Sequence, residues 1–316
     1  MIARTLCALY ELRGKQAPFL KPKLLIHLMD NEDYIARSAQ LALLLEVSAY
    51  PKPGNIDRTH DFVDTNYTHF LASSVAVYPV LRAAATREHG VGELVRTGVA
   101  ENMAWQRGGN THFGALLLLV PLAMSAGACK GYKPAELKEK ADEIMRNTNV
   151  EDAIAVYKAF PKAKVKVRSE VPEFDVMNEA SLTEIREKEL SLYDILTISA
   201  AYDLISRELV AGFDMTFRSA ARLKESAEAN AINDAITHTY LWLLSEEEDT
   251  FVKLGFGTGK SRYVMARAKA IVDGGYKLEE IEAFDEDLIK AGINPGSTAD
   301  IIAAALFIAI LGGLRV

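Results

Sequence analysis

Cysteine is nearly absent from this chain. Its 316 residues hold two, Cys7 and Cys129, too far apart to form a CxxC pair. Such usage argues against a zinc site or a disulfide framework and suits a reducing cytoplasm. A positive charge balance is also missing: 36 Lys and Arg stand against 43 Asp and Glu, giving a net charge of −7 and a pI near 5.5. No global basic field draws the protein to nucleic acid or an anionic membrane, so a polyphosphate ligand would need local cations, a metal or helix ends. Long apolar runs are missing as well. The two candidates, residues 113–128, interrupted by Pro121, and residues 301–314, fall short of the roughly 18 residues expected of a spanning helix and read as buried helices. Residues 1–28 intersperse Arg4, Glu11, Arg13, Lys15, Lys21 and Lys23 among apolar positions and form no secretory signal. No repeat or low-complexity linker divides the chain.

What is present is ordinary globular composition, 49% hydrophobic and 25% charged, enough for a large core. Residues 1–30 read as a weakly patterned basic leader, and residues 31–316 as a single all-α domain. Helical spacing of apolar residues covers 34–49, 67–87 with a kink at Pro79, 91–106, 133–146, 151–160, 191–213 and 230–244. Asp203 and Arg207, four apart, are expected to pair. One stretch, PKAKVKVRSEVPEFDV at 161–176, alternates like a short strand or a loop. The apolar C-terminal helix is available for a subunit interface in a homo-oligomer.

Chemistry concentrates first in residues 46–64, EVSAYPKPGNIDRTHDFVD. Pro51-Lys52-Pro53-Gly54 ends the preceding helix, because proline lacks an N–H and disfavours helical geometry in the residue before it. If the chain re-enters a helix, Asp57, Asp61 and Asp64 fall at i, i+4 and i+7, a carboxylate stripe with His60 beside it. A divalent metal carrying phosphates would relieve their repulsion, and Mg²⁺ favours such oxygen ligands. The alternative is a solvated acidic helix start.

Two further polar turns open apolar helices. Gly108-Gly109-Asn110-Thr111-His112-Phe113-Gly114 places a glycine-rich turn, a capping Asn110 or Thr111, and the titratable His112 at a helix mouth able to receive an anion. Gly292-Ile293-Asn294-Pro295-Gly296-Ser297-Thr298-Ala299-Asp300 shapes a turn capped by Ser297 or Thr298. Asp300 is there a dipole complement or a buried functional carboxylate. Gly255-Phe256-Gly257-Thr258-Gly259-Lys260-Ser261 is a near miss of a phosphate-binding loop, with Leu254 where the first glycine belongs and an acidic run, not a strand, before it.

The order PKPGNID plus histidine, GGNTHxG, GINPGSTAD resembles the triphosphoribosyl-dephospho-CoA synthase family from about residue 34 to the end. The resemblance implies an all-α enzyme that moves the triphosphoribosyl group of ATP to 3′-dephospho-CoA and releases adenine. It implies catalytic roles for Asp57, His60, Asp64 and His112, and Mg²⁺ held by Asp57, Asp61 and Asp64 with ATP as substrate. Lys52, Asn55, Asn110, Thr111, Asn294, Gly296, Ser297 and Asp300 would line the nucleotide pocket on which the polar turns converge. The chain departs from the family at Phe113, where a lysine is usual, and at residues 251–255, where Asn and Arg-Gly-Gly are common. YDILTISAAYDLISREL is similar to archaeal relatives. Transfer to another acceptor, nucleotide hydrolysis through residues 255–261, and a non-catalytic nucleotide-binding helical protein are the competing readings.

Overall fold

In a computed structural model, residues 30–163, 174–176 and 178–316 are described; the leader and most of the 161–176 stretch lie outside them. Among the described residues every regular element is an α-helix, as the apolar spacing requires. In chain order these are α1 (Asn31–Ser48), α2 (Tyr67–Ala76), α3 (Tyr78–Thr86), α4 (Val91–Trp105), α5 (Phe113–Ala128), α6 (Pro134–Arg146) and α7 (Val150–Ala163). They continue with α8 (Glu179–Glu187), α9 (Leu192–Ser199), α10 (Leu204–Val210), α11 (Asp214–Ala229), α12 (Ile232–Glu246), α13 (Thr250–Asp273), α14 (Leu278–Lys290) and α15 (Gly296–Leu311).

The two most apolar helices make the centre. A helix that is hydrophobic all round must be buried on every face, and α5 and α15 are buried almost throughout. α15 packs against α1, α5 and α11, while α5 packs against α1, α3 and α6. Each fully buried leucine or isoleucine there, such as Leu116, Leu118, Ile301 and Leu306, contributes about 1.5–3 kcal/mol of transfer free energy. The C-terminal helix is thus core of its own chain and not an apolar face open to a second subunit. No helix among the described residues is long and apolar enough to cross a membrane.

Side chains that compete for backbone groups cause the differences from the expected elements. The 67–87 stretch divides at Val77, two residues before Pro79. The 191–213 stretch divides because Asp203 accepts from the Ser206 N–H at 2.7 Å and starts α10 afresh. Arg207 then pairs with Glu247. Residues 57–64 form no helix. The Asp57 carboxylate accepts from the N–H groups of Thr59 and His60 and from the Thr59 hydroxyl, a local alternative to helical bonding. The expected stripe of Asp57, Asp61 and Asp64 therefore does not exist: Asp61 accepts from the Tyr67 N–H at the start of α2. Residues 255–261 are helical, inside α13, with a kink at Gly257 (φ 80°, ψ 166°), and are no phosphate loop.

Candidate active site

The three polar turns meet. A cleft of about 460 Å³ is lined from the first by Asn55 and Asp64, from the second by Asn110, Thr111 and His112, and from the third by Asn294, Gly296 and Asp300. The N-terminal ends of α5 and α15 both open on it, so two positive helix-dipole ends face the same space.

The first turn is held from below. Lys52, fully buried, forms an ion pair with Glu46 of α1 and donates to Asn55 Oδ1 at 2.8 Å. Asn55 in turn donates to Asn294 Oδ1 at 2.8 Å, joining the first turn to the third. The Tyr240 hydroxyl donates to the Pro53 carbonyl at 3.0 Å. Gly54 sits at φ 75°, where a Cβ would stand 2.4 Å from the Ile293 carbonyl oxygen, so only glycine lets the two turns approach this closely. Glu46, which in sequence is merely the end of an apolar helix, lines the cleft; burial raises its pKa, opposed by Lys52.

In the second turn, His112 and not Asn110 or Thr111 occupies the N-cap position of α5, without a side-chain cap bond; Asn110 accepts from the Phe113 N–H at 3.0 Å, and Thr111 donates to Ser73 Oγ at 2.8 Å. His112 is buried, packs edge-on to Phe70 and has no hydrogen-bond partner on either ring nitrogen. Burial, aided by the Lys52 charge, lowers its pKa to about 3. It is therefore a neutral imidazole at physiological pH, offering one donor and one acceptor.

In the third turn, Asp300 lies within α15 and reaches the start of α5, where Oδ1 accepts from the Ala115 N–H at 2.9 Å. Gly114 makes this approach possible, since a Cβ there would sit 2.1 Å from Asp300 Oδ2. Burial, then the nearby Glu46 charge, holds the Asp300 carboxyl well above the usual carboxylate range. Capping of α15 differs from expectation: Thr298 lies in its first turn and donates through both N–H and hydroxyl to Asp249. Asp249 also caps α13 through the Phe251 and Val252 N–H groups, and burial lifts its pKa to about 6. In sequence it reads as the end of a solvated acidic run; Asp-Thr before an apolar residue is the signal that could have found it.

Five expected site residues do not line the cleft. Lys52 acts beneath it, Ser297 is buried with an unpartnered hydroxyl, and Asp57, His60 and Asp61 lie to one side. Asp57 and His60 instead meet Asp285 of α14, a residue the sequence did not single out, with candidate ligand atoms within 4.8 Å of one another. Asp285 accepts from the Gly54 N–H at 2.9 Å, and burial raises its pKa to about 6. Asp57 Oδ2 is buried without a partner. Two carboxylates and an imidazole so arranged could hold a divalent cation, but they are not the three aspartates expected.

The chain is 25% identical over 303 residues to the 2-(5''-triphosphoribosyl)-3'-dephosphocoenzyme-A synthase of Klebsiella pneumoniae, covering 87% of this chain and 89% of that one. A Vibrio cholerae protein assigned as the same synthase is 24% identical over 295 residues, covering 87% of each. A crystal structure assigned to triphosphoribosyl-dephospho-CoA synthase from Archaeoglobus fulgidus superposes with a TM-score of 0.65 at 31% identity, covering 78% of this chain and all of that one. Residues 32–315 match the ATP:dephospho-CoA triphosphoribosyl transferase (CitG) family, and the chain belongs to that family.

Proposed function

We propose that the cleft binds Mg·ATP and that Asp300 serves the transfer of its triphosphoribosyl group to dephospho-CoA, the family's reaction. The observation that carries this reading is the convergence of two helix N-termini, a neutral histidine and a half-buried carboxyl of raised pKa on one cleft. Helix ends with Asn110 and Thr111 suit the triphosphate, because backbone dipoles bind anions without global positive charge. Asp64, the exposed carboxylate on the cleft wall, would meet the Mg²⁺ that accompanies ATP. His112 can donate to a phosphate or ribose oxygen while remaining uncharged.

Displacing adenine at the anomeric carbon develops positive charge on the ribosyl ring and requires the attacking hydroxyl to lose its proton. A carboxyl of raised pKa is a stronger base than an exposed one, and developing positive charge beside it favours its ionised form. Asp300 fits that role, with Glu46 adding negative potential. Incubating the full chain with ATP, Mg²⁺ and dephospho-CoA, followed by chromatography, should yield free adenine. Release of ADP and phosphate instead, or no turnover by folded protein, would overturn the reading. Hydrolysis through residues 255–261 draws no support from a helical, exposed Lys260.

A further inference from the structure

A second cavity of about 160 Å³ adjoins the cleft and shares Phe251, Leu254 and Asp300 with it. The two differ in chemistry. The cleft carries amides, carboxyls and helix ends among apolar side chains such as Phe62, Phe70 and Phe256, whereas the second cavity is walled mainly by apolar groups, Phe113, Tyr157, Phe160 and Tyr202 among them. Phe113 and Phe160 stand 4.6 Å apart between centroids and form one corner. Polar groups enter at one edge, where Ser206 and Asp203 begin α10 and Ser199 donates to Ser206 Oγ at 2.9 Å.

Size and lining restrict the occupant. The cavity is smaller than the roughly 300–1,000 Å³ typical of sites for drug-sized ligands, so it suits one ring system better than a nucleotide with its phosphates. Aromatic walls favour a planar π-face. ATP has such a part on the correct side: its ribose carries the triphosphate at C5′ and the base at C1′. With the phosphates at the helix ends, the base extends away from them, past the glycosidic carbon. Asp300 stands at the passage between the two cavities.

We propose that this second cavity is the adenine pocket, holding the base of ATP before transfer and the free base after it, with Asp203 bonding to the ring edge. The inference rests on the transfer reading above and adds where the leaving group goes. Burial pushes the Asp203 carboxyl up, which favours a protonated form able to donate to a ring nitrogen and accept from the amino group.

The test is calorimetric titration of the full chain with free adenine and, separately, inorganic triphosphate, on wild type, Ile198→Phe and Asp203→Ser. Ile198 lines the cavity without being fully buried, and serine retains the α10 cap while its short hydroxyl cannot bridge a ring nitrogen and the amino group as a carboxyl does. Adenine affinity should fall at least tenfold in both variants, triphosphate affinity should stay within twofold, and product inhibition by adenine should weaken in parallel. Adenine affinity unchanged in both variants, with wild type still releasing adenine from ATP, overturns the pocket and leaves the reaction standing. Wild type that releases no adenine overturns the reaction and the pocket with it.

Discussion

Two lysine-bearing, glycine-containing stretches met opposite fates. Lys52, between two prolines, is fully buried in a network running from Glu46 through Asn55 to Asn294. Lys260, in GFGTGKS, is exposed on α13 and lies over its neighbour Tyr263. By motif alone Lys260 stands nearer to a phosphate site than Lys52 does. The difference lies in what each is packed against: the first turn is clamped by α14 and the third turn, while a Cβ at Gly255, Gly257 or Gly259 would meet open space. A glycine makes a site only where something approaches it.

The largest expected effect is on catalysis. Asp300→Asn keeps an acceptor for the Ala115 N–H but removes the proton acceptor, and adenine release should fall about 10²–10⁴-fold with the circular dichroism spectrum unchanged; retained activity would remove Asp300 from the chemistry. Next, Lys52→Met leaves the Glu46 charge buried without its partner and should cost about 3–5 kcal/mol, read as a lower urea midpoint. Stability within about 1 kcal/mol of wild type would mean Glu46 is already neutral.

A third comparison uses pH. Asp249 has a folded pKa raised to about 6 from 3.8, so the native state binds more protons than the unfolded one between those values, and its contribution to stability is lost as pH rises from about 4 to 6. Asp249→Asn abolishes that loss. Relative to wild type the variant should therefore improve by up to roughly 3 kcal/mol between pH 4 and pH 7, whatever its offset. Taking the difference also removes the opposite trend from His112, whose lowered pKa weakens the native state as pH falls below its ordinary value. A flat difference in urea stability across that range would refute the burial argument. The smallest effect belongs to Lys260→Ala: being exposed, it should change stability by less than about 0.5 kcal/mol and leave adenine release within twofold. A large loss would restore residues 255–261 as a site.

Much of the site is legible in the sequence, though its wiring is not. Asn55, Asn110, Asn294 and Asp300 stand out as polar groups at helix mouths, and they line one cleft. Asp249, Asp285 and Glu46 do not, because in sequence they belong to an acidic run, a charged helix and an apolar helix end. Phe113 reads as a lost lysine; folded, it is a wall of the second cavity. The helices at 214–229 and 278–290 are missing from the spans that apolar spacing marks, and α14 supplies Asp285.

By itself the sequence determined an all-α chain, its two most apolar helices and the polar turns that open them, since periodicity and capping act between residues three or four apart. Tertiary structure alone decided which carboxylates share a space. Asp57 meets Asp285, and Asp300 meets the start of α5, across separations that no local spacing encodes. The 57–64 aspartates show the converse: nearness in sequence put them on no common face, because Asp57 spent its oxygen on the backbone of Thr59 and His60 and the helix that would have aligned them never formed.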